Sequence, residues 1–373
     1  MIHVVQRGDT VWSLAKQYGV PWTDIAYVNQ MRDPDQLVVG QTLLITERTP
    51  QITSTMERGG FVYPFVSPWV LRQTLPLINW LGVFTYGFTP DGRLLPPKLT
   101  DQLILAQTKN AGVRPVMVLS PEDERGSFSN VLASQLFNSP AARSRLIGEI
   151  LTVMEQKGYE ELNIDFEFVL PDDREAFAVF VREAAEAVRA KGWRSSVDLA
   201  PKTSRDQPGL LYEAHDYTAL AEPVDRVLLM AYEWGYKFGP PMAVAPLNQV
   251  RRVVEYALTE IPAQKIWLGI PNYGYDWPLP YGRGVTVART IGSVEAVNIA
   301  WDGRAQIYYN EEAQSPYFVY TRNGVAHEVW FEDLRSWQAK LDLVKEYGLA
   351  GIGIWQLNQL WRAGLYLAAS QEG

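Results

Sequence analysis

From about Gly59 to the C-terminus, short apolar runs that read as strands alternate with stretches whose apolar residues recur at helical spacing. No other property of the chain constrains its fold as much. The strand candidates are Gly60–Phe65, Leu81–Gly87, Val113–Ser120, Leu162–Phe168, Ser195–Ala200, Arg226–Tyr232, Ile266–Pro271 and Gly351–Leu357. Helical patterns follow them at Leu103–Ala111, Pro140–Lys157, Arg174–Lys191, Leu247–Leu258 and Ser336–Tyr347. A strand between amphipathic helices belongs to a helix-covered parallel sheet, and eight such units predict an α/β fold, a (β/α)8 TIM barrel. One interval is too long for a simple connection: about 80 residues separate the seventh and eighth strands. Within it Ala305–Asn310, Pro316–Thr321 and Ala326–Phe331 read as antiparallel strands, with Asn323-Gly324 as a hairpin turn. A small α+β lobe is therefore expected at 277–333, inserted between strand 7 and helix 7 of a barrel spanning 59–373.

The fourth strand breaks the pattern of a buried parallel strand. Leu162, Ile164, Phe166 and Phe168 share one face, while Glu161, Asn163, Asp165 and Glu167 share the other. Carboxylates and an amide buried side by side cost free energy unless they are satisfied. In a barrel of this kind catalytic groups sit at the C-terminal strand ends. Asp165 and Glu167, two residues apart, would be neighbours about 6–7 Å apart at their α-carbons, facing the barrel mouth. Burial and the Asp165 charge should raise the pKa of Glu167, as a general acid near neutrality needs. Asn163, one step deeper, is placed to hydrogen-bond Asp165 and orient it. Glu161, deepest on that face, has no place in the chemistry and goes to the barrel floor. The alternative is a satisfied polar layer inside the barrel. The other strand ends favour a site: Tyr232-Glu233-Trp234 after the sixth, Asn272 to Trp277 after the seventh, Trp355-Gln356 after the eighth. Flat aromatic walls with a few directed polar groups suit a carbohydrate cleft.

Residues 1–47 read as a separate strand–helix–helix–strand unit, with Thr10 or Asp9 as a helix cap, Gly19 as its end, and Thr42–Ile45 as the returning strand. A unit this small has a thin core, and binding suits it better than chemistry. Residues 48–58 are polar and unpatterned, and read as a linker. The 13 Trp and 19 Tyr fit either a large core or sugar-stacking surface. A net charge of −8 without a basic patch gives no reason to expect nucleic acid as a partner. The absence of cysteine removes thiol catalysis, disulfides and Cys-ligated metal, and three scattered histidines suggest no metal cluster. The N-terminus shows no signal peptide, and no run is long and apolar enough to span a membrane.

The stretch HVVQRGDTVWSLAKQYGV, followed by VNQ and LVVGQTLLI, closely resembles a LysM domain. The resemblance implies binding to N-acetylglucosamine-containing glycans through Gly8, Asp9, Thr10 and Val11 and through the loop near Asn29 to Asp33. Gly8, Asp9 and Thr10 also read simply as a turn and a cap. The fourth strand resembles the D-x-x-D-x-D-x-E signature of glycoside hydrolase family 18, the chitinase-like enzymes. LNIDFEF, LLMAYEWGY, IPNYGYDW, HEVWFED and GIGIWQLNQ resemble, more narrowly, a branch in spore-forming bacteria that joins LysM units to this barrel and degrades spore cortex peptidoglycan as N-acetylglucosaminidases. Carried over, the resemblance implies Glu167 as proton donor, Asp165 as orienter of the substrate acetamido group and Tyr232 as donor to its oxygen. It implies Trp355 as the floor under the sugar at the cleavage site, and Glu233, Trp234, Tyr275, Gln356 and Asn163 as further substrate contacts or supports. No metal or cofactor is implied. The alternatives are a chitinase or chito-oligosaccharidase and a non-catalytic coat lectin, the latter disfavoured by the intact Glu167. Two signature positions differ: Glu160 replaces the first Asp and Asn163 the middle one. With one charge removed, Asp165 is expected to ionise more easily than in a typical chitinase, with a different pH profile.

Overall fold

The computed structural model describes residues 1–371. The chain opens with β1 (Ile2–Val4), α1 (Val11–Tyr18), α2 (Trp22–Val28) and β2 (Thr42–Leu44), with β1 and β2 antiparallel. The expected caps are in place: Thr10 accepts from Ser13 N at 3.0 Å, and Gly19 ends α1 in the left-handed region at φ 69°.

The barrel strands are β3 (Glu57–Val62), β4 (Trp80–Phe88), β6 (Arg114–Leu119), β7 (Glu161–Ile164), β8 (Arg194–Leu199), β9 (Arg226–Leu229), β10 (Ile266–Pro271) and β16 (Gly351–Trp355). Each is parallel to the next, and pairing of β16 with β3 and of β3 with β4 closes the ring. The short β5 (Leu94–Leu95) hangs antiparallel on β4. Around the barrel lie α3 (Pro68–Thr74), α4 (Gln102–Asn110), α5 (Asn130–Phe137), α6 (Pro140–Lys157), α7 (Arg174–Ala190), α8 (Tyr217–Ala221), α9 (Leu247–Glu260), α11 (Leu334–Glu346) and α12 (Arg362–Ala369). The interior is filled, with Trp80 stacked on Trp267 at 4.5 Å among Phe61, Val118 and Leu228.

Between β10 and α11 stands the lobe: β11 (Gly274–Pro278), β12 (Arg289–Ile291), α10 (Ser293–Asp302), β13 (Tyr308–Asn310), β14 (Ser315–Arg322) and β15 (Val325–Trp330). Its sheet runs β12-β11-β15-β14-β13. Asn323 and Gly324 join β14 to β15 with φ of 52° and 78°, the mirror-image turn that two-residue hairpins favour. The lobe sheet begins at Gly274, a few residues before the expected boundary.

The stretch expected as a linker is not one along its whole length. Glu57 and Arg58 open β3, and their charges are satisfied by partners remote in sequence. Arg226 donates to Glu57 at 3.0 Å, and Arg58 donates to the carbonyls of Leu77, Ser54 and Met56. Residues before them are strapped to α12: Thr53 and Ser54 N–H both donate to Ala369 O at 3.1 Å.

The N-terminal unit is docked on the rest. Val28 and Leu44 belong to the main core, and Val38 to the lobe core with Ile291 and Phe318. The Arg362 guanidinium donates to Tyr27 O at 2.6 Å and lies 3.9 Å from the Tyr27 ring, whose other approach is by Arg48 at 4.1 Å. Ile307 N donates to Val39 O at 3.0 Å, and a Cβ at Gly40 would collide with the Ile307 carbonyl.

Candidate active site

Ile164 ends β7, but Asp165 N still donates to Leu119 O at 2.9 Å, so the strand geometry persists one residue further. Phe166 then points outward into a stack with Phe88, Phe137, Phe177 and Phe180, at ring distances of 5.8, 5.6, 5.9 and 5.7 Å. Burying such a ring contributes about 2–3 kcal/mol, and with Phe166 fixed outside, Asp165 and Glu167 face the barrel mouth. The alternation stops there: Phe168, expected on the buried face, is 51 % exposed.

A buried histidine holds the backbone at this point. The N–H of Ala200, just beyond β8, donates to His215 Nδ1 at 3.2 Å, which makes Nδ1 the acceptor and leaves the proton on Nε2. Nε2 then donates to the Glu167 carbonyl at 3.0 Å. Burial lowers the His215 pKa to about 4, so the ring stays neutral.

Asp165 is 5 % exposed, whereas Glu167 is open to solvent along the cleft although protein atoms surround it on the other sides. Burial and then the Glu233 carboxylate raise the Glu167 pKa, the state a proton donor needs. One expectation for the deeper residues is corrected. Asn163 makes no hydrogen bond to Asp165; its Nδ2 donates to Asp198 Oδ1 at 2.7 Å and to Ser196 Oγ at 3.2 Å. Asp165 itself is hard to ionise: burial, then Glu167 and Asp198, push its pKa well above the usual carboxylate range. Asp198, on β8, puts back into the site the carboxyl that Asn163 lacks. Its inward alternation with Ser196 along β8 was the available signal. Glu161, as expected, sits in the layer below, paired with Arg114 at 2.8 Å and accepting from Ser196 Oγ at 2.7 Å.

Above these acids opens a cavity of about 430 Å³ that brings together the expected Asp165, Glu167, Tyr232, Glu233, Trp234, Tyr275, Trp355 and Gln356, with Tyr273 and Asn272 in addition. Its size is within the range of roughly 300–1,000 Å³ common for ligand sites. Trp355 is held on edge by Phe84 and Tyr63 at 4.9 and 5.8 Å. Glu233 has φ of 70°, rare for a residue with a side chain. Its carboxylate accepts from the hydroxyls of Tyr273 and, at 2.9 Å, Tyr275. Gln356 contributes less freedom than expected, because its Oε1 already accepts from Asn358 N at 2.6 Å.

In the N-terminal unit the four expected glycan contacts are committed to the fold. Gly8 turns at φ 97°, Asp9 accepts from Gln6 N at 2.7 Å and meets His3 Nε2 at 2.9 Å, Thr10 caps α1, and Val11 is fully buried. The second expected loop is engaged as well: Gln30 Oε1 accepts from Arg362 N at 2.6 Å, and Arg32 pairs with Asp302 at 2.8 Å. What this unit does expose is Trp12 and Trp22, stacked 5.2 Å apart and 45 % and 39 % exposed.

Residues 91–359 match the glycosyl hydrolases family 18, and residues 3–46 match the LysM domain. The cortical fragment-lytic enzyme of Bacillus subtilis is 38 % identical, over 96 % of this chain and 94 % of that protein. The crystal structure of the spore cortex-lytic enzyme SleL of Bacillus megaterium superposes with a TM-score of 0.80 at 35 % identity, over 99 % of this chain and 86 % of that one. A chitinase from Chromobacterium violaceum shares the fold, with a TM-score of 0.78 at 24 % identity, over 85 % of this chain and 100 % of that one. The cleft of acids and aromatics at the barrel mouth thus has full-length relatives, and the chain belongs to glycosyl hydrolase family 18, a glycosidase with a LysM domain at its N-terminus.

Proposed function

We propose that this glycosidase cleaves N-acetylglucosaminyl bonds in the peptidoglycan of the bacterial spore cortex, or in its fragments, by substrate-assisted retention, an exception to the usual two-carboxylate scheme. The observation that carries the reading is the pairing of buried Asp165 with Glu167, an acid of raised pKa, in a cleft bounded by Trp355 and Tyr232. Glu167 gives its proton to the leaving glycosidic oxygen. The substrate's 2-acetamido oxygen attacks the anomeric carbon as the glycosidic bond breaks, forming an oxazolinium ion. Asp165 accepts from the acetamido N–H, and the Tyr232 hydroxyl donates to the acetamido oxygen. Glu167 then takes a proton from the water that opens the ring, and the configuration is retained. The names of the full-length relatives support cortex peptidoglycan as substrate and the spore as the place of action. The LysM domain supports glycan binding.

Digestion of purified cortex fragments, with mass analysis of the new reducing ends, tests this. New N-acetylglucosamine reducing ends are expected, and none from a Glu167→Gln enzyme. Rapid cleavage of chitin oligomers with inert cortex would replace the substrate assignment.

A further inference from the structure

A second cavity, of about 320 Å³, opens at the barrel mouth over the ends of β3, β4 and β6, and the mechanism above does not use it. It adjoins the catalytic cleft through a shared wall. Tyr63 and Phe84, which line it, are the rings packed at 5.8 and 4.9 Å against Trp355, which lines the cleft. Its floor is apolar and open: Phe65 and Leu99 are 65 % and 54 % exposed, and Phe65 stacks 5.2 Å from Tyr63. Apolar surface left open beside a cleft marks a place for a ligand. The two charged groups of this cavity are Lys98 and Glu122. Lys98 Nζ spends one donor on Arg125 O at 2.9 Å and keeps two. The Glu122 carboxylate accepts no hydrogen bond among the described residues, and Lys98 acts on it by charge alone. Its backbone is nonetheless fixed, with Glu122 N donating to Ser120 O at 2.7 Å and Glu122 O accepting from Phe88 N at 3.1 Å. Both charged atoms stand close to Gly126, where a Cβ would strike Lys98 Nζ and lie 3.2 Å from Glu122 Oε1.

One free donor and one free acceptor, with no net charge between them, suit an amide better than an ion. In peptidoglycan the sugar on either side of each N-acetylglucosamine is N-acetylmuramoyl, whose 3-O-lactyl arm ends in an amide to a peptide. A chitin chain carries no such arm. We infer that this cavity binds the lactyl amide of the muramoyl residue next to the reacting N-acetylglucosamine. Lys98 Nζ donates to the amide carbonyl, Glu122 accepts from the amide N–H, and the lactyl and alanyl methyls lie against Phe65 and Leu99. Lys98 and Glu122 then set specificity, because they touch the substrate only where it carries a peptide. The inference rests on the reading of peptidoglycan as substrate.

Three tetrasaccharides separate these contacts. One has alternating N-acetylglucosaminyl and N-acetylmuramoyl units with the lactyl arms as L-alanine amides. The second has the same sugars with free lactyl acids, and the third, chitotetraose, has no arms. The full-length enzyme is compared on each by kcat/KM, read from product release. Lys98→Met should lower it about tenfold on both armed substrates, mainly through KM. Glu122→Met should lower it about tenfold on the amide alone, because a free acid has no N–H to offer. On chitotetraose both variants should stay within about twofold of the unaltered enzyme. Lys98 is exposed and Glu122 half-buried, so neither change empties a core position. Equal losses on chitotetraose would overturn the inference, as would a Glu122→Met enzyme as impaired on the free acid as on the amide. Variants that match the unaltered enzyme on the armed substrates would overturn the pocket assignment and leave the peptidoglycan reading standing. An unaltered enzyme that cleaves chitotetraose and neither armed substrate would overturn the peptidoglycan reading, and the pocket assignment with it. Should chitotetraose turn over too slowly to compare, the contrast between amide and free acid still decides.

Discussion

His215 donates through Nε2 to the backbone carbonyl of Glu167 at 3.0 Å while its Nδ1 accepts from Ala200 N at 3.2 Å, so one neutral ring ties the end of β7 to the end of β8. Protonation would turn Nδ1 into a donor facing the Ala200 N–H. The folded pKa of about 4 lies below the unfolded value of about 6.5. The unfolded chain therefore binds more protons between these values, and the His215 contribution to stability is complete above pH 6.5 and lost as pH falls toward 4. The loss amounts to about 3 kcal/mol. Urea unfolding at a series of pH values should show this acid-side decline, and His215→Leu should be less stable at pH 7 but lack that part of the decline. A misplaced Glu167 should also lower kcat of the variant by roughly tenfold or more.

Glu167→Gln removes the transferable proton and should lower kcat by about 10³-fold on any N-acetylated glycan, with unchanged circular dichroism and glycan binding. Asp165→Asn should lose about 10²-fold. A substrate without the 2-acetamido group should be inert, because its attack on the anomeric carbon is the bond-forming step. Product release measured by chromatography checks all three.

Glu233 helps keep Glu167 protonated through its negative charge, and Tyr275 and Tyr273 hold it in place. Glu233→Gln removes that charge. The Glu167 pKa should fall, and the alkaline limb of kcat/KM should move to lower pH, with activity at pH 5 less affected than at pH 8. A pH–rate profile with the limb unmoved would show that the field of Glu233 does not reach the acid.

Arg362 is 5 % exposed, donates to Tyr27 O and to Gln73 Oε1, and stacks on the Tyr27 ring. Arg362→Ala removes charge-assisted bonds of about 1.5–3 kcal/mol each and leaves a cavity under the LysM domain. Calorimetry should show one unfolding transition for the unaltered chain and an earlier, separate transition of the LysM domain in the variant.

The barrel was legible because its signal is periodic and local: eight apolar runs, alternating with helical patterns, can be read without knowing a single contact. Asp165 and Glu167 were legible for the same reason, as polar residues on the wrong face of one strand. Asp198 was not, because its importance depends on which strand lies beside β7 and on Asn163 reaching across to it. The same limit explains Glu57 and Arg58, which look like linker residues until Arg226 and the Leu77 carbonyl are placed beside them. In the LysM domain the turn at Gly8 and the cap at Thr10 could be read from residue type alone. Sequence could not say that the loop at Gln30 and Arg32 would be spent on Arg362 and Asp302.

Gly40 fits closely under the Ile307 carbonyl, and the Ile307 N–H to Val39 O bond beside it seats the LysM domain on the lobe in one orientation. A flexible string of residues would let the domain search a sphere of wall around the cleft, with affinity set by string length. A domain held in the seated orientation would replace that search with a fixed bearing. A glycan strand resting on the Trp12–Trp22 face would leave it in one direction relative to the barrel mouth, so strands of one orientation would reach the cleft and others would pass it by. The domain would then act less as an anchor than as a compass.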